Sequence, residues 1–218
     1  MGFRHHRTAL SRRPWRFVAD CRQRATARVR EWKREQYGRS DIGLRHRRFL
    51  SWQELDGAPE YRAAVALVQQ FAENLGSVLL LIGKRGSGKT QLACVAVRET
   101  IDRRRSARYV CCIDLLCDLR GRYGDSGGHY ADLEWLEEWA APYLLVVDEA
   151  TERVDGPTGH GLIMLSALVD RRYRNLRPTI LIANVAREQI VAALGASIAD
   201  RANEEGGVLD FGAWPSFR

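Results

Sequence analysis

No stretch of this sequence approaches the roughly 20 consecutive apolar residues that a membrane-spanning helix requires, so a chain threaded through a bilayer as a helix is excluded. The five cysteines (Cys21, Cys94, Cys111, Cys112 and Cys117) contain no CxxC spacing. Odd in number and unpatterned, they exclude a disulfide-stapled secreted scaffold and read as reduced thiols in a cytoplasmic protein. Cys112 and Cys117 stand near His129, but that spacing fits no common zinc site. Internal repeats and low-complexity stretches are also lacking. Met1-Gly2 is followed at position 6 by His6 rather than Ser or Thr, which leaves N-myristoylation unsupported.

Acidic residues are scarce in one place. Residues 1–40 hold twelve Lys/Arg against Asp20, Glu31 and Glu35, a local net charge of +9, whereas the remainder has 22 basic and 24 acidic residues. The overall +7 therefore belongs to the leader. Such a block attracts nucleic acid, an anionic membrane or an acidic protein face, or is simply a solvated tail. Its Arg-rich start also faintly resembles an organelle transit peptide. Within it, Phe17, Cys21, Ala25, Val29 and Trp32 recur at steps of four and three, a narrow apolar stripe on one helix. A stripe that thin buries little alone and is expected to dock on something. Gly38 to Gly43 breaks the pattern and reads as a linker.

The composition of the whole chain is ordinary for a globular protein: 45% hydrophobic and 28% charged in 218 residues. That length allows one α/β domain with an appendage. The expected division is a basic helical leader over 1–40 and a catalytic domain over 41–218. Three short, continuously apolar runs, 78–82, 143–147 and 179–183, have the look of parallel strands buried on both faces. Further strands are expected at 109–113 and 208–211. Helical patterns fill 61–75, 90–104, 115–123, 131–140, 159–173, 187–194 and 198–204. Alternating strands and helices imply an α/β fold with a mostly parallel five-stranded sheet between helical layers.

Gly83-Lys84-Arg85-Gly86-Ser87-Gly88-Lys89-Thr90 fits G-x-x-x-x-G-K-[ST]. Glycines there let backbone N–H groups turn toward phosphate oxygens, and the following helix adds the positive end of its dipole. Lys89 is expected at the β- and γ-phosphates and the Thr90 hydroxyl on Mg²⁺, with ATP as the nucleotide. Leu144 to Glu149 puts two carboxylates at the end of a buried strand, the edge where ligands bind in such sheets. Asp148 is then expected at the metal, and Glu149 at the attacking water. Asn184, ending the 179–183 strand, can hydrogen-bond the γ-phosphate or that water.

Taken in order, these three motifs resemble a P-loop NTPase of the AAA+ class. More narrowly, Val169-Asp-Arg-Arg-Tyr-Arg174, Arg177-Pro-Thr-Ile180, Ala199-Asp-Arg201, and the ending Glu205-Gly-Gly followed by Trp214-Pro-Ser-Phe-Arg218 resemble the DnaC/IstB-like group of helicase loaders and transposition helpers. The resemblance covers roughly residues 42–218. It implies that Asn184 acts as the first sensor and that Arg201 is an arginine finger completing a neighbouring subunit's site, with Arg172 and Arg174 as rivals. The chain stops soon after its last strand, so a helical lid is expected to be absent or vestigial, and Arg218 is only a weak substitute for a lid-borne second sensor. The group also implies single-stranded DNA contacts from the insertion after the second strand, where Arg120, Arg122, Tyr123 and Tyr130 lie.

The function that follows first is an ATP-dependent loader, gripping single-stranded DNA and engaging a hexameric replicative helicase through residues 1–40. A transposition helper ATPase is the alternative. A phosphotransferase fits Asp148-Glu149 and Asn184 poorly, and an ATP-gated adaptor without turnover stands as a fourth reading.

Overall fold

The computed structural model describes residues 14–43, 59–73, 78–126, 129–152 and 159–213. The expected Arg218 and the closing Trp214-Pro-Ser-Phe-Arg218 stretch lie outside them, as does the start of the basic leader.

Five strands form one sheet in the order β2-β3-β4-β1-β5, with every pairing parallel. β1 (Val78–Ile82), β3 (Leu144–Asp148) and β4 (Thr179–Ala183) are buried along their whole length, as their unbroken apolar runs require. β2 (Ala107–Cys111) and β5 (Gly207–Asp210) are the edges and are more exposed. β2 starts and ends two residues earlier than the sequence suggests. Cys112 and Ile113 look strand-like, but they open the helix α4 (Cys112–Ser126), whose first turn carries Asp114 at its positive end.

Two apolar layers flank the sheet. On one face, Leu79, Leu81, Val146, Ile180 and Ile182 pack against α2 (Pro59–Glu73) and α3 (Lys89–Asp102). α2 opens on Pro59, whose fixed φ suits a first helical turn. It buries Ala64, Val65, Val68, Phe71 and Ala72, which share one side of a 3.6-residue helix. On the other face, Leu80, Ile82, Leu145, Val147 and Leu181 meet α4, α5 (His129–Ala140), α6 (His160–Arg174), α7 (Ile190–Leu194) and α8 (Ala196–Arg201). The result is a three-layer α/β sandwich. Among the described residues, no helix is long and apolar enough to cross a membrane.

The basic leader forms helix α1 (Pro14–Gly38). Its C-terminal half lies on the protein's own α3. Trp32 and Tyr37 pack on the core, Gln36 is buried, and Lys33 Nζ pairs with Asp102 at 2.5 Å. Burial and the Asp102 charge push the Tyr37 hydroxyl up to about 12. The apolar stripe thus finds a partner within the chain at Trp32, while Ala25 is exposed; the side chains of Phe17 and Cys21 lie outside those described. The segment read as a linker is also fixed. The Ser40 hydroxyl donates to the carbonyls of Gln36 and Ala107 at 3.4 Å, Asp41 N–H donates to Tyr109 O at 3.0 Å, and Ile42 is buried. Residues 39–42 therefore form a strap along the outer edge of β2.

Arg172, on α6, is fully buried. Its Nε donates to Thr179 Oγ1 at 2.9 Å. Nη1 donates to the carbonyls of Trp139, Ala140 and Pro142 at 3.3, 3.0 and 2.8 Å. Nη2 donates to those of Tyr143 and Pro178 at 3.2 and 2.8 Å. These carbonyls end α5 and lead into β3 and β4, so one guanidinium satisfies the turns that start two central strands. Burial, assisted by the Arg177 charge, pulls its pKa down to about 9. A side chain held this way has no surface to offer a neighbouring subunit.

Candidate functional site: a phosphate-binding loop beside two carboxylates

Strand order decides what meets at the sheet's C-terminal edge. β4 lies between β1 and β3, so the loop after β1, the carboxylates after β3 and Asn184 after β4 stand side by side. The loop hangs on two neighbours: Gly83 N–H donates to Val185 O at 3.1 Å, and Phe211 N–H donates to Ile82 O at 2.8 Å. Gly83 has φ +118°, and a Cβ there would lie 2.7 Å from the backbone of both Phe211 and Gly212. Only glycine meets both conditions. Gly86 and Gly88 are also left-handed, with φ of 86° and 90°.

Lys89 opens α3 and is buried. Its ammonium donates to the carbonyls of Gly83 (2.8 Å) and Lys84 (2.7 Å), and Ser87 Oγ lies 3.3 Å away. Burial lowers its pKa, while the Asp148 charge opposes that shift. Asp148 is also buried. Its Oδ2 accepts from Thr90 Oγ1 and from the Tyr109 hydroxyl, both at 2.7 Å, and its Oδ1 accepts from Glu149 N–H at 2.7 Å. The Thr90 hydroxyl and Asp148 carboxylate are thus oxygen donors held together at the mouth of the loop. That donor chemistry suits a hard cation such as Mg²⁺.

Glu149 breaks the strand. Its φ of 52° lies in the left-handed region, unusual for a non-glycine residue. Continued extension would send its side chain to the face opposite Asp148. The turn instead brings Glu149 Oε2 to 3.3 Å from Cys111 Sγ on β2. Burial, with Glu149 adding to it, pushes the Cys111 thiol up to about 11. Arg85 of the loop forms an ion pair with Glu152, just past the carboxylate pair. The arrangement combines a glycine-rich loop at a helix N-terminus, a hydroxyl–carboxylate pair and a second carboxylate at the strand end.

The remaining candidates are more dispersed. Asn184 is half-buried at the same edge. Arg201 pairs with Asp170, donates from Nη1 to the Ser197 carbonyl at 2.9 Å and lies over the Tyr173 ring. Arg174 pairs with the same Asp170 at 2.6 Å and is largely exposed. In the α4 region Arg120 is exposed. Arg122 is held by Asp118 and Glu138 at 2.9 and 2.7 Å, and the Tyr123 hydroxyl donates to Asp132 at 2.6 Å. Tyr130 is exposed. Sequence reasoning did not single out Tyr109, Cys111 or Glu152. Strand alternation was the available signal for the first two, since Tyr109 and Cys111 share the Asp148 face once β2 is in register with β3.

No protein-family model matches the chain. In sequence it is 26% identical, over 151 residues, to the replicative helicase loader DnaC of Escherichia coli (strain K12), covering 69% of this chain and 60% of that protein. It is 24% identical over 157 residues to the replicative helicase loader DnaC of Buchnera aphidicola subsp. Acyrthosiphon pisum (strain APS), covering 72% and 62%. The chain thus spans about three fifths of the length of these relatives. Among solved structures, a crystal structure of the DnaC helicase loader superposes with a TM-score of 0.62 at 20% identity, covering 77% of this chain and 99% of that one. DnaI gives 0.62 at 18%, covering 82% and 95%. AMPPCP-bound DnaA from Aquifex aeolicus gives 0.60 at 18%, covering 74% and 49%. The fold is that of the AAA+ P-loop proteins, and the sequence is similar to DnaC helicase loaders.

Proposed function

We propose that this chain is an ATP-hydrolysing helicase loader that acts in DNA replication. The observation that carries the reading is the Thr90–Asp148 contact at the mouth of the Gly83–Thr90 loop, with Glu149 at the same strand end. The loop's N–H groups and the α3 N-terminus receive the triphosphate, and Lys89 exchanges its loop carbonyls for β- and γ-phosphate oxygens. Thr90 and Asp148 would hold Mg²⁺, which when bound neutralises phosphate charge. Glu149 takes the proton of the attacking water, and Asn184 orients that water or the γ-phosphate. Arg201 is the candidate finger for a neighbouring subunit. Serving in trans requires it to leave Asp170, and this exchange makes self-association and hydrolysis interdependent.

In the same proposal, residues 1–40 engage a hexameric replicative helicase: among the described side chains of α1, Ala25 to Arg28 are exposed, while Trp32 and Tyr37 pack on the protein's own core. Single-stranded DNA runs past α4 and the start of α5, where Arg120 is exposed and Tyr130 offers a stacking face. The relatives named above are helicase loaders, and no observation of its own carries the transposition-helper reading.

The test mixes the host's replicative helicase with full-length protein or with a version lacking residues 1–27, with and without ATP. Stable capture by the full chain and loss with the shortened one is the expected result. Absence of capture under every nucleotide condition overturns the loader assignment. Hydrolysis measured with and without single-stranded DNA separates a turning-over enzyme from an ATP-gated adaptor.

A further inference from the structure

We infer that Tyr109 is a positioning residue of the metal site, fixing the Asp148 carboxylate through its hydroxyl while its own main chain is clamped by the strap that follows α1. This rests on the nucleotide-binding reading of the site and adds to it a residue that no phosphate-binding motif contains.

The placement follows from strand geometry. Tyr109 is opposite Val146 on β3, and Asp148 is two residues further on, on the same sheet face. Diagonal neighbours of this kind are about 7–8 Å apart, within reach of an aromatic side chain but not of a short one. A tyrosine at this register can therefore touch Asp148 where Ser or Thr could not. The hydroxyl reaches Asp148 Oδ2 at 2.7 Å, the same oxygen that Thr90 reaches from α3. Together with Glu149 N–H on Oδ1, three donors set both the torsion and the tilt of one buried carboxylate. Tyr109 is itself buried, its ring lying among the α3 and sheet core. Groups that orient a metal-binding carboxylate in this way usually matter nearly as much as the ligand itself.

A second feature ties the same residue to the leader. Tyr109 lies on an edge strand, whose outer carbonyls would otherwise face solvent. Its carbonyl accepts from Asp41 N–H at 3.0 Å, and the neighbouring Ala107 carbonyl accepts from Ser40. The register of β2, and with it the height of the Tyr109 ring against Asp148, is thus held from outside by residues joined directly to α1. Movement of α1 is transmitted to the metal site through one residue.

The test is Tyr109→Phe in the full-length protein, which keeps the ring and removes the hydroxyl. Nucleotide binding is measured with a fluorescent ATP analogue, first in chelator and then across a Mg²⁺ titration. Mn²⁺ binding in the presence of ADP is followed separately by electron paramagnetic resonance. The expected result is about a tenfold rise in the Mg²⁺ needed for half-maximal binding and a matching loss of Mn²⁺ affinity. Chelator-condition nucleotide affinity should stay within about twofold. In an Asp148→Asn background, Tyr109→Phe should add nothing, because the hydroxyl acts through that carboxylate. An unchanged metal requirement, whether or not the melting temperature falls, assigns Tyr109 to the core alone and overturns the inference. Failure of the unsubstituted protein to bind nucleotide at all overturns the nucleotide-binding reading itself.

Discussion

Arg172→Met should cost this protein a large part of its stability while leaving its nucleotide chemistry intact. Methionine replaces much of the volume and none of the donors. Five backbone carbonyls and the Thr179 hydroxyl then lose a partner at distances of 2.8–3.3 Å. An unsatisfied buried polar group costs about 1–3 kcal/mol. Water entering the space recovers part of that, and removal of the desolvated charge offsets more. The net is about 4 kcal/mol, at the upper end for a single substitution. Urea unfolding followed by far-ultraviolet circular dichroism reads this directly. With a slope of about 2 kcal/mol/M, the midpoint falls by about 2 M. Arg172→Lys, with three donors in place of five, should lose about half as much. The affected turns precede β3 and β4 at the edge of the sheet opposite the P-loop, so folded Arg172→Met should bind nucleotide normally. A midpoint shift below about 0.5 M would refute the claim that this guanidinium holds the strand starts in place.

Three further outcomes are expected. On the proposed reading, Glu149→Gln should keep nucleotide affinity within about twofold and lower turnover by about 10²–10⁴-fold, because it removes the proposed proton acceptor alone; phosphate release under single-turnover conditions measures it. Gly83→Ala should weaken folding by more than about 2 kcal/mol and abolish tight nucleotide binding, since its Cβ meets the Phe211–Gly212 backbone at 2.7 Å; thermal unfolding and nucleotide titration read the two effects. Cys111, held up to about 11, is almost all thiol at pH 8 in the folded state, so its alkylation rate should climb about tenfold per pH unit until near that value. In denaturant, where its ordinary value of 9.0 returns, alkylation at pH 8 should be far faster; peptide mass spectrometry with pulsed iodoacetamide follows both states.

The parts of this molecule that repeat a simple pattern are legible in its sequence. The three central strands are apolar except for Asp148 at the end of β3 and Thr179 at the start of β4, and the sequence bounds each within one residue. The loop and the Asp148-Glu149 pair are marked by residue identity alone, and the structure brings Thr90 of the loop to Asp148. The edge strand β2 was misplaced by two residues because Cys112 and Ile113 are as apolar as a strand, and only the helix start at Cys112 distinguishes them. Arg172 read as a candidate for a subunit interface because a charged residue on a helix is usually exposed. Its burial depends on carbonyls from the two turns before β3 and β4, and backbone acceptors leave no mark in a sequence. Tyr109 was hidden for a related reason: an aromatic residue in a strand looks like core until register reveals the carboxylate beside it.

The strap at residues 39–42 has a practical consequence for anyone who cuts the chain. A sheet edge with free carbonyls is a template for another strand, and proteins generally shield such edges. Here the shield is the stretch that sequence composition marks as the join between leader and domain, with Asp41 donating to Tyr109 and Ile42 buried beside it. Trimming the leader at residue 40 would strip Ser40 from the Ala107 carbonyl and leave Asp41 and Ile42 as an untethered chain end on the outer edge of β2. The shortened protein would then associate edge to edge, and assemblies formed that way would pass for functional oligomers. A cut before Val29 leaves the shield in place, so any change in assembly can be assigned to the leader itself.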